Sequence, residues 1–351
     1  MNRNVTMKDI AEKLGISIVS VSKALTGKQG VSEELRDKIK KEADRMGYRY
    51  NVGARALKEG KNYNIGVIIR SCYLDDTTNA FYLQIYQSVA RRLTHYDYAT
   101  MLELVEPEMQ KRLQLPEIVE SKRLDGLLVV GELQEEYLER LKKVGLPMVY
   151  LDFYDKKMEI DSVSMDNVCA EYDLTEYLIR KGHREIAFVG SIDATTSIMD
   201  RYVGYRKALH AYGIPYRSQY LIPDRDIQGQ YTEPVFPEPV PTAFVCNNDE
   251  VAAKVIDKLR GHNYRVPEDI MVTGFDNYPF VRSGGVGITT VAVDMDTMAK
   301  GSVDLLMERL NGKGGMFLRR VVRGRMVLRE STGDWTIHCK GASVGEKIRE
   351  K

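Results

Sequence analysis

Short apolar runs alternate with helical stretches along most of the chain, and this alternation limits the available folds more than any other feature. The runs NIGVII, YATMLEL, DGLLVV and PMVYLD are separated by stretches of helical periodicity. After DSVSMDN the same order restarts with EIAFVG, PTAFVCNND and DIMVTGFDN. Continuous apolar strands between helices are typical of parallel sheets covered on both faces. Two such series predict an α/β core of two doubly wound parallel-sheet lobes.

The first sixty residues differ from this core in charge. The net charge of the chain is only +1, but residues 1–61 carry 14 Lys and Arg against 8 Asp and Glu, while the rest carries 37 against 42. A small basic segment on a mildly acidic body is expected when one part of a protein approaches phosphates. A solvated charged surface would give the same count, so charge alone leaves both interpretations open.

The sequence gives no sign of a membrane span, a disulfide framework or a catalytic centre. It has no apolar run of eighteen residues and no signal-peptide core, and Cys72, Cys169, Cys246 and Cys339 form no CxxC or Cys/His cluster. The stretch SGGVG follows no strand, and no histidine or cysteine is spaced to pair with a carboxylate as nucleophile and base. We therefore expect a cytoplasmic protein that is not an enzyme and that uses no cofactor or metal.

An all-α helix-turn-helix head is predicted at the N-terminus. Thr6 and Asp9 make a capping-box-like start, and Gly15 allows a tight left-handed stop. Ser17 and Ser32 are N-caps for a second and a third helix. The spacing predicts three short helices within the first 47 residues.

The second of these helices would bury Val21 and Ala24 and leave five residues outward: Ile18, Val19, Ser20, Ser22 and Lys23. Two apolar residues that face water need a reason, and a recognition helix in the major groove provides one. Ile18 and Val19 can contact thymine methyl groups, the serines can reach base edges or phosphates, and Lys23 can donate to guanine. A structural three-helix subdomain would show the same pattern, so DNA binding is one of two interpretations at this point.

The segment VTMKDIAEKLGISIVSVSKALTGKQGVSEELRDKIKKEADRMGYRYN resembles the DNA-binding head of the lactose-repressor (LacI) family of bacterial transcription regulators. The resemblance implies that phosphates are contacted by Thr6, Ser17, Ser32 and Asn51. It implies that bases are read by Ile18, Val19, Ser22 and Lys23. DNA binding thereby becomes the preferred interpretation of the head.

The next segment, NVGARALKEGK, resembles the hinge helix of that family, with Ala54 and Leu57 in positions that enter the minor groove. Leu57 would unstack a central base step, although a leucine covering the core would fit the same pattern. Two departures are Tyr50, where a proline is common, and Gly53, which costs about 1 kcal/mol of helix stability. We therefore expect a hinge that folds only when two copies meet on DNA.

Polar residues follow the apolar runs at the sheet edge where ligands bind in such lobes. Asp152 follows PMVYL, Asn248 follows PTAFVC, Asp276 follows MVTGF, and Arg201 belongs to the helix after EIAFVG. Carboxylates only accept and arginine only donates, so these side chains could together bind the hydroxyls of a small polyol. They could also cap helices and bridge the lobes.

The family resemblance extends through the core, in GHREIAFVG, DRYVGYRKAL, PTAFVCNNDEVA, VPEDIMVTGFDN and RRVVRGRMVLREST, and this core is similar to periplasmic sugar-binding folds. It implies that effector-contact positions are occupied by Asp152, Arg201, Asn248 and Asp276. Phe81 and Phe153 could stack on a sugar or purine, although core packing would also account for each ring.

One segment departs from the family in a way that bears on specificity. EPVFPEPV stands where relatives have a helix of about a dozen residues, and its prolines prevent that helix. Either Tyr231 or Phe236 replaces the stacking aromatic of that region, or the pocket is open on that side.

These arguments divide the chain into a helix-turn-helix domain at 1–47, a hinge helix and linker at 48–62, an effector-binding core at 63–335 and a tail at 336–351. The N-lobe would comprise about 63–161 plus 293–322, and the C-lobe about 162–292 plus 323–335. We expect a ligand-responsive repressor that binds a palindromic operator in double-stranded DNA as a homodimer and responds to a sugar or sugar phosphate. Two alternatives stay open: control by a protein corepressor, and a sugar receptor or sugar-processing enzyme that does not bind DNA.

Overall fold

The computed structural model describes residues 5–25, 27, 29–48, 59–74, 81–226, 229, 231–278, 282–283 and 285–333. The chain divides into two compact units, Met1–Asn62 and Tyr63–Lys351. Several residues singled out by the sequence lie outside the described residues: Tyr50, Asn51, Gly53, Ala54, Leu57 and the tail 336–351. Over the ranges given above, no helix is both long enough and apolar enough to cross a membrane.

The described part of the N-terminal unit contains the helices α1 (Met7–Leu14), α2 (Ile18–Leu25) and α3 (Glu33–Arg45). The predicted capping box is present, because the Asp9 amide donates to Thr6 Oγ1 at 3.3 Å and the Thr6 amide donates to the Asp9 carboxylate at 2.7 Å. Gly15 ends α1 at φ +64°. Ser32 Oγ accepts from the Leu35 amide at 3.4 Å and caps α3. The local signals in the sequence therefore set the helix boundaries.

A small apolar core holds these helices together. Ile10 of α1, Val21 and Ala24 of α2, and Ile39 and Ala43 of α3 are buried against one another. Because each helix contributes one apolar stripe at helical spacing, the opposite faces are left to solvent.

The larger unit contains strands β1 to β14 and helices α4 to α11. The strands are β1 (Asn64–Arg70), β2 (Ala99–Val105), β3 (Gly126–Val130), β4 (Met148–Leu151), β5 (Asp161–Met165), β6 (Ile186–Val189), β7 (Leu221–Ile222), β8 (Ala243–Cys246), β9 (Met271–Thr273), β10 (Arg282–Ser283), β11 (Val286–Gly287), β12 (Thr290–Ala292), β13 (Arg319–Val322) and β14 (Arg325–Val327). The helices are α4 (Phe81–Thr94), α5 (Pro107–Lys111), α6 (Glu117–Glu120), α7 (Glu135–Lys142), α8 (Asn167–Arg180), α9 (Thr196–Ala211), α10 (Asp249–Gly261) and α11 (Met295–Leu310).

Two parallel sheets organise this unit, as the alternating pattern predicts. The first lobe has the strand order β13-β5-β4-β3-β1-β2 and the second has the order β7-β6-β8-β9. β12 pairs with β14 in a short antiparallel ribbon. The buried apolar residues of each sheet pack under its helices in separate clusters. The carboxyl ends of both sheets therefore present their loops to the space between the lobes.

The expected lobe boundary near residue 161 is wrong by one strand. β5 pairs in parallel with β4 and β13, so the first sheet extends to Met165. The sequence DSVSM does not show this, because Asp161 and two serines occupy fully buried positions. Asp161 is tolerated there because Arg309 of α11 donates to both of its carboxylate oxygens, at 2.6 and 3.0 Å. Within the described residues the chain crosses between lobes after β5, between β12 and α11, and between β13 and β14.

Candidate DNA-binding and ligand-binding sites

The outward face of α2 exposes an apolar pair on the N-terminal unit. Ile18 is 48% exposed and Val19 is 63% exposed, whereas Val21 and Ala24 on the other face are buried. Ser20, Ser22 and Lys23 are half-buried beside this pair. An exposed aliphatic pair flanked by hydroxyls and a lysine has the composition that major-groove readout requires.

Both ends of α2 are fixed by side chains. Ser17 Oγ accepts from the Ser20 amide at 3.0 Å, which confirms the expected cap. At the other end, Arg36 of α3 donates to the carbonyl oxygens of Lys23 at 3.3 Å and Ala24 at 3.1 Å. Thr6, Ser17 and Ser32 are exposed at the N-termini of their helices, where backbone amides and hydroxyls are suited to phosphate contacts.

In the larger unit, Arg201 of α9 is buried and forms the centre of a polar network. Its Nη2 donates to Asp276 Oδ1 at 3.1 Å, its Nε donates to Asn167 Oδ1 at 2.9 Å, and its Nη1 donates to the carbonyl oxygen of Asn247. The guanidinium carbon lies 3.7 Å from the centre of the Phe275 ring. The network therefore links α9 to the residue after the end of β9 and to the first residue of α8, which follows the lobe crossing.

Two aspartates, one from each lobe, have a left-handed backbone conformation at the ends of their strands. Asp152 follows β4 with φ +73°, and Asp276 follows β9 with φ +89°. Non-glycine residues in this region are uncommon and concentrate at functional sites. Burial raises the pKa of Asp152 to about 7, and the negative charge of Asp276 contributes to the rise. Burial also raises the pKa of Asp276, while Arg201 opposes this.

Stacked tyrosines line the first-lobe side. The rings of Tyr73 and Tyr82 are 4.6 Å apart and nearly parallel, and the Tyr82 hydroxyl donates to Asp152 at 3.0 Å. Gly131, with φ +77°, lies against them, and an added Cβ would come within 2.5 Å of the Tyr73 ring. A side chain at this position would thus displace Tyr73, which stacks on the Tyr82 ring that adjoins Asp152.

Asn248 is held by its own helix and by Tyr231. Its Oδ1 accepts from the Val251 amide at 2.8 Å as the N-cap of α10, and its Nδ2 donates to the Tyr231 hydroxyl at 3.1 Å. Arg225 donates to the same hydroxyl at 3.1 Å.

EPVFPEPV forms no helix, as expected, and Phe236 packs on the core ring of Phe244 at 5.0 Å. Of the two candidate aromatics, Tyr231 is therefore the one placed beside the polar strand ends.

The two phenylalanines have different surroundings. Phe81 begins α4, and its buried ring is 6.4 Å from the ring of Tyr278 in the other lobe. Phe153 stacks on Tyr150 at 4.5 Å inside the first-lobe core. The core-packing interpretation of Phe153 is therefore correct.

Sequence reasoning missed several members of this site. Glu132 follows β3 and the buried Asp224 follows β7, so the same rule of polar strand ends would have identified both. Asn167 and Tyr82 lie inside helical stretches and give no such signal. Their roles depend on contacts with Arg201 and Asp152 that only the fold creates.

Comparison with known proteins agrees with both units. Residues 6–51 match the model of the bacterial regulatory proteins of the lacI family, and residues 175–332 match the periplasmic binding protein-like domain. The chain is 31% identical to the HTH-type transcriptional regulator RegA of Clostridium saccharobutylicum, over 93% of this chain and 99% of that protein.

Two solved structures share the fold. The complex of the transcriptional regulator CelR with cellobiose has a TM-score of 0.66 at 21% identity, covering 93% of this chain and all of that one. The lac repressor dimer bound to operator and an anti-inducer has a TM-score of 0.71 at 21% identity, covering 94% of this chain and 99% of that one.

A three-helix head with an exposed recognition face, followed by a two-lobed core with a polar cleft, defines a DNA-binding regulator with a ligand-sensing domain. The chain belongs to the lacI family of bacterial regulatory proteins. It is accordingly a transcription regulator and not an enzyme.

Proposed function

We propose that this regulator is a repressor that binds a palindromic operator as a homodimer and that α2 of each copy enters the major groove. The main support for this proposal is the exposed pair Ile18 and Val19. Thymine methyl groups in the major groove would cover these two apolar side chains, which water otherwise surrounds. Base contacts would come from Ile18, Val19, Ser20, Ser22 and Lys23, and phosphate contacts from Thr6, Ser17 and Ser32. Asn51 stays a predicted phosphate contact, and Ala54 and Leu57 stay predicted minor-groove contacts of the hinge. The similar lac repressor is a dimer on its operator.

We further propose that the core binds a sugar or sugar phosphate between its lobes, in the bacterial cytoplasm where the operator lies. The supporting observation is that Asp152 and Asp276 follow strands of opposite lobes at the edge where the lobes face each other, and that Asp276 pairs with the buried Arg201 at 3.1 Å. Phe81 contacts the ring of Tyr82, whose hydroxyl donates to Asp152, and Asn248 follows Asn247, whose carbonyl oxygen accepts from Arg201. The similar CelR structure is a complex with cellobiose. Acceptors and donors from both lobes suit a ligand with several hydroxyls.

Ligand binding would act on DNA binding through the lobe crossings. Arg201 contacts Asn167, which directly follows the crossing after β5, so a ligand that reorganises Arg201 also acts on that segment. A change in lobe angle would alter the spacing of the two heads in a dimer. Couplings of this kind are about 1–3 kcal/mol.

The DNA arm is tested by selecting duplexes from a random library with the full chain and measuring affinity by fluorescence anisotropy. Val19→Ser should raise the Kd for the selected duplex about five- to thirtyfold, a loss of about 1–2 kcal/mol of apolar contact. Val235→Ser is the matched control, because Val235 is 78% exposed on the other unit. Equal affinities for the Val19 and Val235 variants would exclude α2 as the reading helix.

The ligand arm is tested by a thermal-shift screen of free sugars, sugar phosphates and nucleosides. A ligand at 100 times its Kd stabilises by about 2.7 kcal/mol. The shift should be lost in Asp152→Asn and kept in Asp304→Asn, since Asp304 likewise accepts from a tyrosine hydroxyl at 3.0 Å but lies on α11 away from the cleft. A shift that survives in Asp152→Asn would contradict the assignment of this cleft. If none of these compounds raises the melting temperature, control by a protein corepressor would be favoured.

A further inference from the structure

The carboxylate of Glu132, in the first lobe, occupies the N-terminus of helix α9 in the second lobe. Glu132, directly beyond β3, accepts through Oε2 from the backbone amide of Thr196, the first residue of α9, at 2.5 Å. The N-terminus of a long helix at the carboxyl edge of a parallel sheet is the usual place for a ligand phosphate, because its free amides and dipole favour negative charge. In this protein a side chain from the facing lobe already provides that charge.

The surrounding contacts hold Glu132 in this position. The Tyr73 hydroxyl donates to the backbone carbonyl of Glu132 at 3.2 Å, which fixes the loop after β3. On the other side, Thr195 caps α9 by accepting from the Ile198 amide at 3.2 Å. Two of the first amides of α9 are therefore taken up by the protein, one by Glu132 and one by Thr195.

Two cations of the cleft, Arg201 and Arg225, are also neutralised by the protein. Arg201 is paired with Asp276 at 3.1 Å, and Arg225 is paired with Asp224 at 3.3 Å. Arg201 is buried and Arg225 is half-buried, and each is paired with a carboxylate, so neither offers an uncompensated positive charge to a ligand.

The balance of charge in the described part of the cleft is negative. Four carboxyls (Glu132, Asp152, Asp224 and Asp276) face three guanidiniums, those of Arg201, Arg225 and Arg70, the last of which lies 5.9 Å from the centre of the Tyr73 ring. The raised pKa of Asp152 reflects burial together with the repulsion of its acidic neighbours. A phosphate ester would bring nearly two further negative charges into this space. An uncharged hydroxyl group meets no such repulsion and can donate to the carboxylates.

We propose that the cleft selects an uncharged, hydroxyl-rich ligand, an unphosphorylated sugar, and that Glu132 excludes phosphate esters by occupying the N-terminus of α9. This inference rests on the proposed sugar-binding function and narrows it. Specificity of this kind comes from an unfavourable contact with the wrong ligand as much as from good contacts with the right one.

The test compares the full-length chain with Glu132→Ala and Glu132→Gln at constant ionic strength. Inorganic phosphate, ribose 5-phosphate and glucose 6-phosphate should leave the melting temperature of the unaltered chain unchanged. In both Glu132 variants inorganic phosphate should stabilise, with an apparent Kd at least about ten times lower than in the unaltered chain. Each shift is taken relative to the ligand-free melting temperature of the same variant, so a change in basal stability does not affect the result.

Glu136→Ala is the matched control, because Glu136 is an exposed residue of α7 and its replacement makes the same change in net charge. A gain of phosphate binding in this variant equal to that of Glu132→Ala would refute a role for Glu132. Stabilisation of the unaltered chain by phosphate or by a phosphate ester would also overturn the proposal. If no free sugar binds, the proposed effector class fails, whereas the phosphate titration of the Glu132 variants still decides whether Glu132 excludes anions.

Discussion

Glu171 of α8 provides a quantitative test of how burial changes the pKa of a carboxyl group close to Arg201 and Asp276. Its side chain is fully buried, and neither carboxylate oxygen has a hydrogen-bond partner among the described residues. Burial raises its pKa from 4.5 to about 8; Arg201 opposes the rise and Asp276 adds to it. The folded protein therefore holds a proton on Glu171 at neutral pH, whereas the unfolded chain releases it.

The sign and the size of the effect follow from linkage. A carboxyl whose pKa is higher in the folded state makes its full contribution to stability below pH 4.5 and loses it as the pH rises toward 8. At about 1.4 kcal/mol per pH unit the loss is about 3 kcal/mol at pH 7 and about 4 kcal/mol at pH 8, where half of the folded molecules have also released the proton. Glu171→Gln removes this loss and keeps the shape of the side chain. The variant should match the original chain near pH 4.5 and exceed it by these amounts at higher pH.

Denaturant unfolding of both proteins from pH 5 to pH 8 measures the difference directly. Burial also raises the pKa of Asp249 to about 8. Because both proteins contain Asp249, its effect on the pH dependence of stability is the same in both and cancels in the difference. Glu176→Gln on the same helix is the control, because Glu176 is half-buried and pairs with Arg180 at 3.3 Å. A constant difference between the Glu171→Gln protein and the original chain across the pH range would refute the reasoning.

Three further outcomes are expected. Gly204→Ala should destabilise the core by about 1–3 kcal/mol in denaturant unfolding, because the new methyl group would overlap the carbonyl oxygen of Val168 where α8 and α9 pack; an unchanged midpoint would contradict this packing. Thr6→Ala should cost the head about 1 kcal/mol by removing the cap that accepts from the Asp9 amide, measured as a lower melting temperature of the N-terminal unit. Sugar affinity should rise several-fold from pH 6 to pH 8 as Asp152, with a pKa of about 7, becomes a full acceptor, and the same rise is expected in Asp304→Asn, which leaves Asp152 in place; an affinity that does not change over this range would contradict the role of Asp152.

The elements that follow from local chemistry could be predicted from the sequence. The hydroxyl caps and Gly15 define the helices of the head, and the apolar runs identify seven strands of the two parallel sheets: β1, β2, β3, β4, β6, β8 and β9. β5 could not be predicted, because its buried Asp161 depends on Arg309, which lies 148 residues further along the chain. Local patterns carry no information on such a pairing.

The same division applies to the cleft. The rule of polar strand ends placed Asp152 and Asp276 at the edge where the lobes face each other. It could not show that Arg201 would be committed to Asp276, or that Glu132 would reach α9 in the other lobe. These contacts join residues with no common sequence signal, and they decide which ligand charges the site accepts.

The strand order of the first lobe has a consequence for synthesis on the ribosome. This lobe begins at β1, yet one of its edge strands is β13, and α11 packs against its helix α4. A nascent chain that has emerged only as far as β12 carries β5 as an open edge and Asp161 without the guanidinium of Arg309. The lobe that is translated first is therefore completed last, and the two lobes cannot mature one after the other as independent folding units.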